Sequence, residues 1–262
     1  MRIVVFVKPV PDPASGAERL GPNLWLDRTA APAVVNGNDE YALEAALKLV
    51  EAHGGEVILV SMAPAAAPET MRKALAMGAS SGIHVTDPAL AGSDTVSTTR
   101  VLAAALEGLE FDLVLAGVDT SDGTAGVVAA GVAALRRLPY LSYAARIEPD
   151  PDAGTVRIRR ISPTGYDVLE APMPAVISCT QVLGEPRYPS LKGIMAARSR
   201  TIETRSLADL GQAPETVGGV AATTAVLDAR PPEARAATRV VRESPDEAAR
   251  QVVAFLAERR LV

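Results

Sequence analysis

The sequence predicts a doubly wound α/β fold: a mostly parallel sheet with helices on both faces, a small antiparallel extension and a C-terminal helical arm. Short β-branched apolar runs alternate with segments of helical period over the first two thirds of the chain. Those runs are continuously apolar, as strands buried on both faces are. From Tyr140 to Ala171 the period changes to that of half-buried antiparallel strands.

The expected parallel strands are Ile3 to Val7, Val57 to Ser61, Ile83 to Thr86, Leu113 to Ala116 and Ala175 to Cys179, each followed by turn residues. A first helix opens at Asn38-Asp39-Glu40, repeats through Ala42, Leu43, Ala46, Leu47 and Val50, and closes at His53-Gly54-Gly55, where glycine accepts a left-handed backbone. A second spans Pro68 to Met77. Ser93-Asp94 caps a third that runs to Gly108, and a fourth is expected from Gly123-Thr124 to Arg137, before Pro139. Val156-Arg157-Ile158-Arg159 alternates, with Pro149 to Gly154 as the turn between two strands. Gln181 to Arg200 reads as a long loop leading into a short helix from Ser190 to Arg198, and Gly211 to Ala222 as a polar linker without a core pattern. Ser244-Pro245-Asp246-Glu247 is a capping box with proline at the first helical position, adding about 1 kcal/mol to a last helix that runs to Arg260. Its Val252, Val253, Leu256 and Leu261 need a surface to cover, and a partner chain is one candidate. The expected organisation is an α/β domain over 1–183, a loop with a short helix over 184–205, and over 206–262 a linker and arm that pack on a partner.

A chain of 262 residues, 48% hydrophobic and 22% charged, buries a full-sized core. The net charge of -5 includes no basic stripe, so nucleic-acid binding is not expected. Cys179 is the single cysteine, which excludes an internal disulfide and multi-thiolate metal sites, and His53 and His84 are too few for a histidine-rich one. The apolar start, Met1 to Lys8, is short for a signal peptide and no run of about 20 apolar residues exists, so a soluble, cytoplasmic protein is expected. Ser142, Ser162 and Ser178 lack a neighbouring histidine, no Gly-x-Ser-x-Gly is present, and Cys179 reads as a small buried hydrophobe. Catalysis by this chain alone is not expected.

Three segments carry the chemistry that remains. The loop Gly117-Val118-Asp119-Thr120-Ser121-Asp122-Gly123-Thr124-Ala125-Gly126 lies between a buried strand and a helix, where free backbone N–H groups bind anions and nucleotides. A glycine-adapted turn has the same composition. Asn36-Gly37-Asn38-Asp39 precedes the first long helix, as a contact to a base or ribose or as a bare cap. Leu183 to Arg200 is proline-spaced and sets Tyr188, Leu191 and Met195 among basic residues, which is the composition of a docking surface or of a loop folded over the sheet end.

That third segment is similar to the recognition loop of electron-transfer flavoprotein beta subunits, matching Asn-Glu-Pro-Arg-Tyr and the following Leu-x-x-Ile-Met-x-Ala with Gly184 in place of asparagine. Lys8 to Asp12, Asn36 to Leu47, Arg72 to Ala79 and Leu113 to Gly117 also align, so the resemblance runs from Met1 to about Leu210. It implies a Rossmann-like, adenine-nucleotide-binding fold that holds AMP as a structural ligand and pairs with a flavin-bearing alpha subunit, which holds most of the FAD. It further implies docking with acyl-CoA and related dehydrogenases, and a membrane-associated quinone oxidoreductase as electron acceptor. By the resemblance, AMP contacts fall on Phe6, Asn36, Gly37, Asn38, Asp39, Met62, and in the loop on Gly117, Asp119, Asp122, Gly123, Thr124, Ala125, Gly126, Val127 and Val128. The docking residues are Glu185, Arg187, Tyr188, Leu191, Ile194 and Met195, with Leu191 as anchor and Arg187, Lys192 and Arg198 as steering charges.

The chain departs from the family pattern at two places. Gly126, Val127 and Val128 stand where many members have threonine or glutamine, leaving backbone N–H groups, or the Thr124 hydroxyl, for a phosphate. Pro163 to Val168 replaces an acidic stretch. Two alternatives share the architecture: a bifurcating-type subunit with its own FAD in place of AMP, and a universal-stress-type adenylate-binding domain. Bulk at Gly123 is expected to harm nucleotide binding more than Asp122→Asn.

Overall fold

The computed structural model describes residues 1–230, 238 and 240–262. They form two compact units, Met1–Leu227 and Asp228–Val262. In the first, the chain runs β1 (Arg2–Phe6), β2 (Pro9–Pro11), β3 (Ala33–Val35), α1 (Gly37–His53), β4 (Glu56–Met62), α2 (Ala67–Met77), β5 (Ser81–Val85), α3 (Thr95–Ala105), β6 (Leu113–Gly117) and α4 (Val128–Arg136). It continues through β7 (Tyr140–Asp150), β8 (Thr155–Ser162), β9 (Gly165–Pro172), β10 (Ala175–Cys179), α5 (Leu191–Ala197) and β11 (Ile202–Arg205).

The main sheet has the order β11-β5-β4-β1-β6-β10-β7-β8-β9, parallel from β11 to β7 and antiparallel beyond. The continuous apolar runs are central strands whose residues feed two cores. Ile3, Val5, Leu59 and Leu113 pack with Leu43 and Leu47 of α1 and Met71 and Leu75 of α2. Val4, Phe6, Val60 and Val114 pack on the other face with Val101 of α3 and Val132 of α4. That is the doubly wound arrangement expected from sequence. Strand order reverses between β1 and β6, which opens a crevice at their carboxyl ends.

The antiparallel extension is β7-β8-β9, with Val156 and Ile158 buried and Arg157 and Arg159 outside, as the alternation predicts. Pro163 to Val168 forms its β8–β9 end, where Arg159 stacks 3.8 Å from the Tyr166 ring centroid.

Sequence reading missed the β2–β3 ribbon and the edge strand β11, because strands of three or four residues are too short to show a period. The fourth helix starts at Val128 and not at Gly123-Thr124. Thr124 and Gly126 have φ of 44° and 64°, left-handed values that a helix cannot include.

The expected linker Gly211 to Ala222 belongs to the first unit. Val217 is buried in the core, and Gly218, at φ 68°, lets the backbone pass so close to Ala89 that no side chain would fit. Asp94 caps α3 through the Ser97 N–H and also accepts from the N–H groups of Thr223 and Thr224. One carboxylate thereby joins a helix start to the returning chain.

The second unit contains α6 (Pro245–Glu258). Ser244 accepts from the Glu247 N–H at 3.5 Å, a long bond, and Glu247 turns to Arg250 at 3.0 Å, so only half of the predicted capping box forms. Val252, Val253 and Phe255 are exposed, while Leu256 is half-buried. Among the described residues no helix is long and apolar enough to cross a membrane, and no group of acidic, histidine or cysteine side chains could hold a metal ion.

Candidate functional site

The crevice between β1 and β6 is built by the start of α1. Asp39 is buried, and its carboxylate accepts from the Lys8 N–H at 2.8 Å and the Gly117 N–H at 3.3 Å, joining the ends of β1 and β6 to one helix turn. Burial pushes this carboxyl up to about 7, with the two N–H donors acting in the opposite sense. Gly117 is required by the close approach of α1, since a Cβ there would lie 2.6 Å from the Asp39 Oδ1 and 2.7 Å from Asn38.

Asn36 sits at the N-cap position of α1 but caps nothing with its side chain. It donates to the Asp119 carbonyl at 2.9 Å and accepts from the Ser121 N–H at 3.2 Å. Asn38 donates to the same carbonyl at 3.3 Å and to the Asp119 carboxylate. Asn36 is thus not a side-chain cap: with Asn38 it holds the β6–α4 loop in shape. The sequence signal for that role is the pairing of polar residues at one helix start with a polar loop after a neighbouring strand, and only the topology reveals it.

Asp122 turns inward. Its side chain is 1% exposed and pairs with Lys8 Nζ at 2.7 Å and Arg28 at 3.0 Å. Burial pushes the carboxyl up, but the neighbouring Lys8 and Arg28 overcome this and hold it below its usual value. Arg28 was not anticipated as part of this site. A Cβ at Gly123 would meet Thr120 Oγ1 at 3.2 Å, close enough that this side chain must yield slightly, and Lys8 Nζ at 3.6 Å.

The loop from Gly123 to Val127 is exposed, and among the described residues no backbone partner meets the N–H groups of Ala125, Gly126, Val127 or Val128. Thr124 donates its N–H to the Thr120 carbonyl at 2.8 Å. Phe6 and Met62 end β1 and β4 and pack in the core on the α3–α4 face. The arrangement offers an anion a run of free N–H groups beside two cations, at the carboxyl end of a parallel sheet. Cys179 is buried and burial pushes its thiol up, so it supplies no nucleophile.

The segment from Leu183 to Arg200 lies on the α1–α2 face. Ser190 caps α5 through the Gly193 N–H at 3.0 Å. Tyr188 is 96% exposed, Leu191 76% and Met195 62%, with Ile194 and Glu185 also exposed. Leu191 therefore does not cover the sheet end. Lys192 and Arg198 are exposed, but Arg187 is not a free steering charge, because it is bonded to Glu44 and Glu51 of α1.

Residues 23–210 match the family described as the electron transfer flavoprotein domain. The chain is similar to the electron transfer flavoprotein subunit beta of Mycobacterium tuberculosis, 36% identical over 99% of both chains, and to that of Clostridium acetobutylicum, 32% identical over 100% of both. It is also 33% identical, over 100% of both chains, to subunit CarD of the caffeyl-CoA reductase-Etf complex of Acetobacterium woodii.

Proposed function

The chain belongs to the electron transfer flavoprotein beta-subunit family, and from that premise we propose that it binds AMP as a structural ligand in the β1–β6 crevice. The observation that carries this reading is the run of free N–H groups from Ala125 to Val128, in a loop whose Asp122 is paired with Lys8 and Arg28. A phosphate there does not face the Asp122 carboxylate, which is turned in and neutralised. Phe6, Met62 and Asn36 to Asp39 border the nucleoside end, and Asn36, Asn38 and Asp39 act by holding the loop in shape.

The chain works as an electron-carrier subunit without turnover of its own. It pairs with an alpha subunit, and FAD, held mainly by that partner, supplies the redox chemistry. The segment from Glu185 to Met195 docks acyl-CoA and related dehydrogenases, with Leu191 as the apolar anchor; electrons then pass to a membrane-associated quinone oxidoreductase. Support comes from an exposed apolar cluster held on a capped helix, a form suited to transient contact.

A second reading places FAD in this crevice in place of AMP. It is favoured by the likeness to a subunit of the caffeyl-CoA reductase-Etf complex. Acid release from the purified heterodimer, followed by chromatography, separates the two. One FAD and one AMP per heterodimer supports the first; two FAD and no AMP overturns it.

A further inference from the structure

We propose that Arg187 is a positioning residue, whose clasp on Glu44 of α1 holds the docking segment so that Tyr188 and Leu191 face outward. The inference rests on the docking reading above and gives Arg187 a role distinct from charge steering.

The clasp is bidentate. Nε meets Glu44 Oε2 at 2.7 Å and Nη2 meets Oε1 at 3.1 Å, while the Arg187 backbone N–H donates to Oε2 at 3.1 Å. Glu44 is only 3% exposed. Burial pushes its carboxyl up, but the Arg187 hydrogen bonds and charge hold it below its ordinary value. The remaining guanidinium N–H groups bond Glu51, farther along α1. A guanidinium shared between two carboxylates projects little charge toward an approaching partner. The fork fixes orientation as well as distance, which a lysine ammonium cannot do.

Burial makes the clasp more than a surface ion pair. If the segment lifts away, Glu44 is left with Lys48, 3.6 Å distant and half exposed, as its nearest cation, and a buried carboxylate without its partner is strongly disfavoured. The far end of the segment is fixed separately, since Arg72 donates to the Ala197 carbonyl at 2.7 Å and Gly193 packs against the Ala76 carbonyl with no room for a Cβ. The exposed side chains are thus presented by backbone that is already ordered, which reduces the entropy lost on docking.

The test uses the heterodimer with its flavin-bearing partner. Arg187→Met keeps the apolar stem but strands Glu44. The paired variant Glu44→Gln/Arg187→Met removes the clasp without leaving a lone buried charge, and guards against failure to fold. Hydrogen exchange is read over the segment from Gly184 to Ala197, and electron transfer from an acyl-CoA dehydrogenase is read as half-saturating heterodimer concentration against kcat. The paired variant should raise segment exchange roughly tenfold and the half-saturating concentration about tenfold, with kcat within about twofold. Adding Leu191→Ala should then cost less than it does alone, because the anchor was already misplaced. Unchanged exchange overturns the proposal, as do effects of the two changes that simply multiply. If Leu191→Ala alone leaves the half-saturating concentration unchanged, the docking reading fails, and the exchange result still decides whether Arg187 positions the segment.

Discussion

Truncation of Leu191 to alanine separates docking from folding because the side chain is 76% exposed at the first position of α5. In the free protein the isobutyl group touches little, so its loss opens no cavity and stability should change by less than about 0.5 kcal/mol. In a complex, full burial of a leucine contributes about 1.5 to 3 kcal/mol. At roughly 1.4 kcal/mol per decade, that weakens docking by about 10- to 150-fold. The assay is donor-dependent flavin reduction at varied heterodimer concentration, beside thermal unfolding and nucleotide content of the same preparation. Impaired reduction with unchanged melting and full AMP and flavin content is the expected outcome. A melting temperature lower by several degrees, with normal turnover per folded molecule, refutes the reasoning and makes Leu191 a packing residue, whose truncation costs about 2 to 5 kcal/mol.

Gly117→Ala should destabilise the chain by about 1 to 3 kcal/mol, because its methyl would meet Asp39 and Asn38 below van der Waals distance; unchanged denaturant unfolding would contradict this. Asp39 is raised from 3.8 to about 7, so the stability contributed by its neutral form is complete below about 4 and is lost as pH rises through 7. The melting deficit of Asp39→Asn should accordingly narrow as pH rises from about 4 to 7, and a deficit that stays constant over that range would show Asp39 ionised throughout. Ending the chain after Gly211 would remove the core residue Val217, so assembly is better tested by ending it after Leu227. The first unit should then melt within about 2 °C of the full chain while pairing with the alpha subunit weakens, and unaltered affinity would sink the arm's role in assembly.

The parallel strands and their covering helices are legible in the sequence because burial on both faces demands continuous apolar runs, and caps such as Asp94 and Ser190 mark where helices begin. The family motif from Leu183 to Ala197 is legible too, since its order of residues is local. Tertiary structure alone decided what the polar residues do. Asn36 and Asn38 reach Asp119 across more than eighty positions of chain, Asp122 finds Arg28, and Arg187 finds Glu44, none of which has a local signature. Val217 lay in a stretch with no period because a single buried side chain on an irregular path makes none. Periodicity reports which face of a regular element meets the core, and it is silent about hydrogen bonds closed between distant loops, which is where this chain's β1–β6 crevice and its segment from Glu185 to Met195 are held.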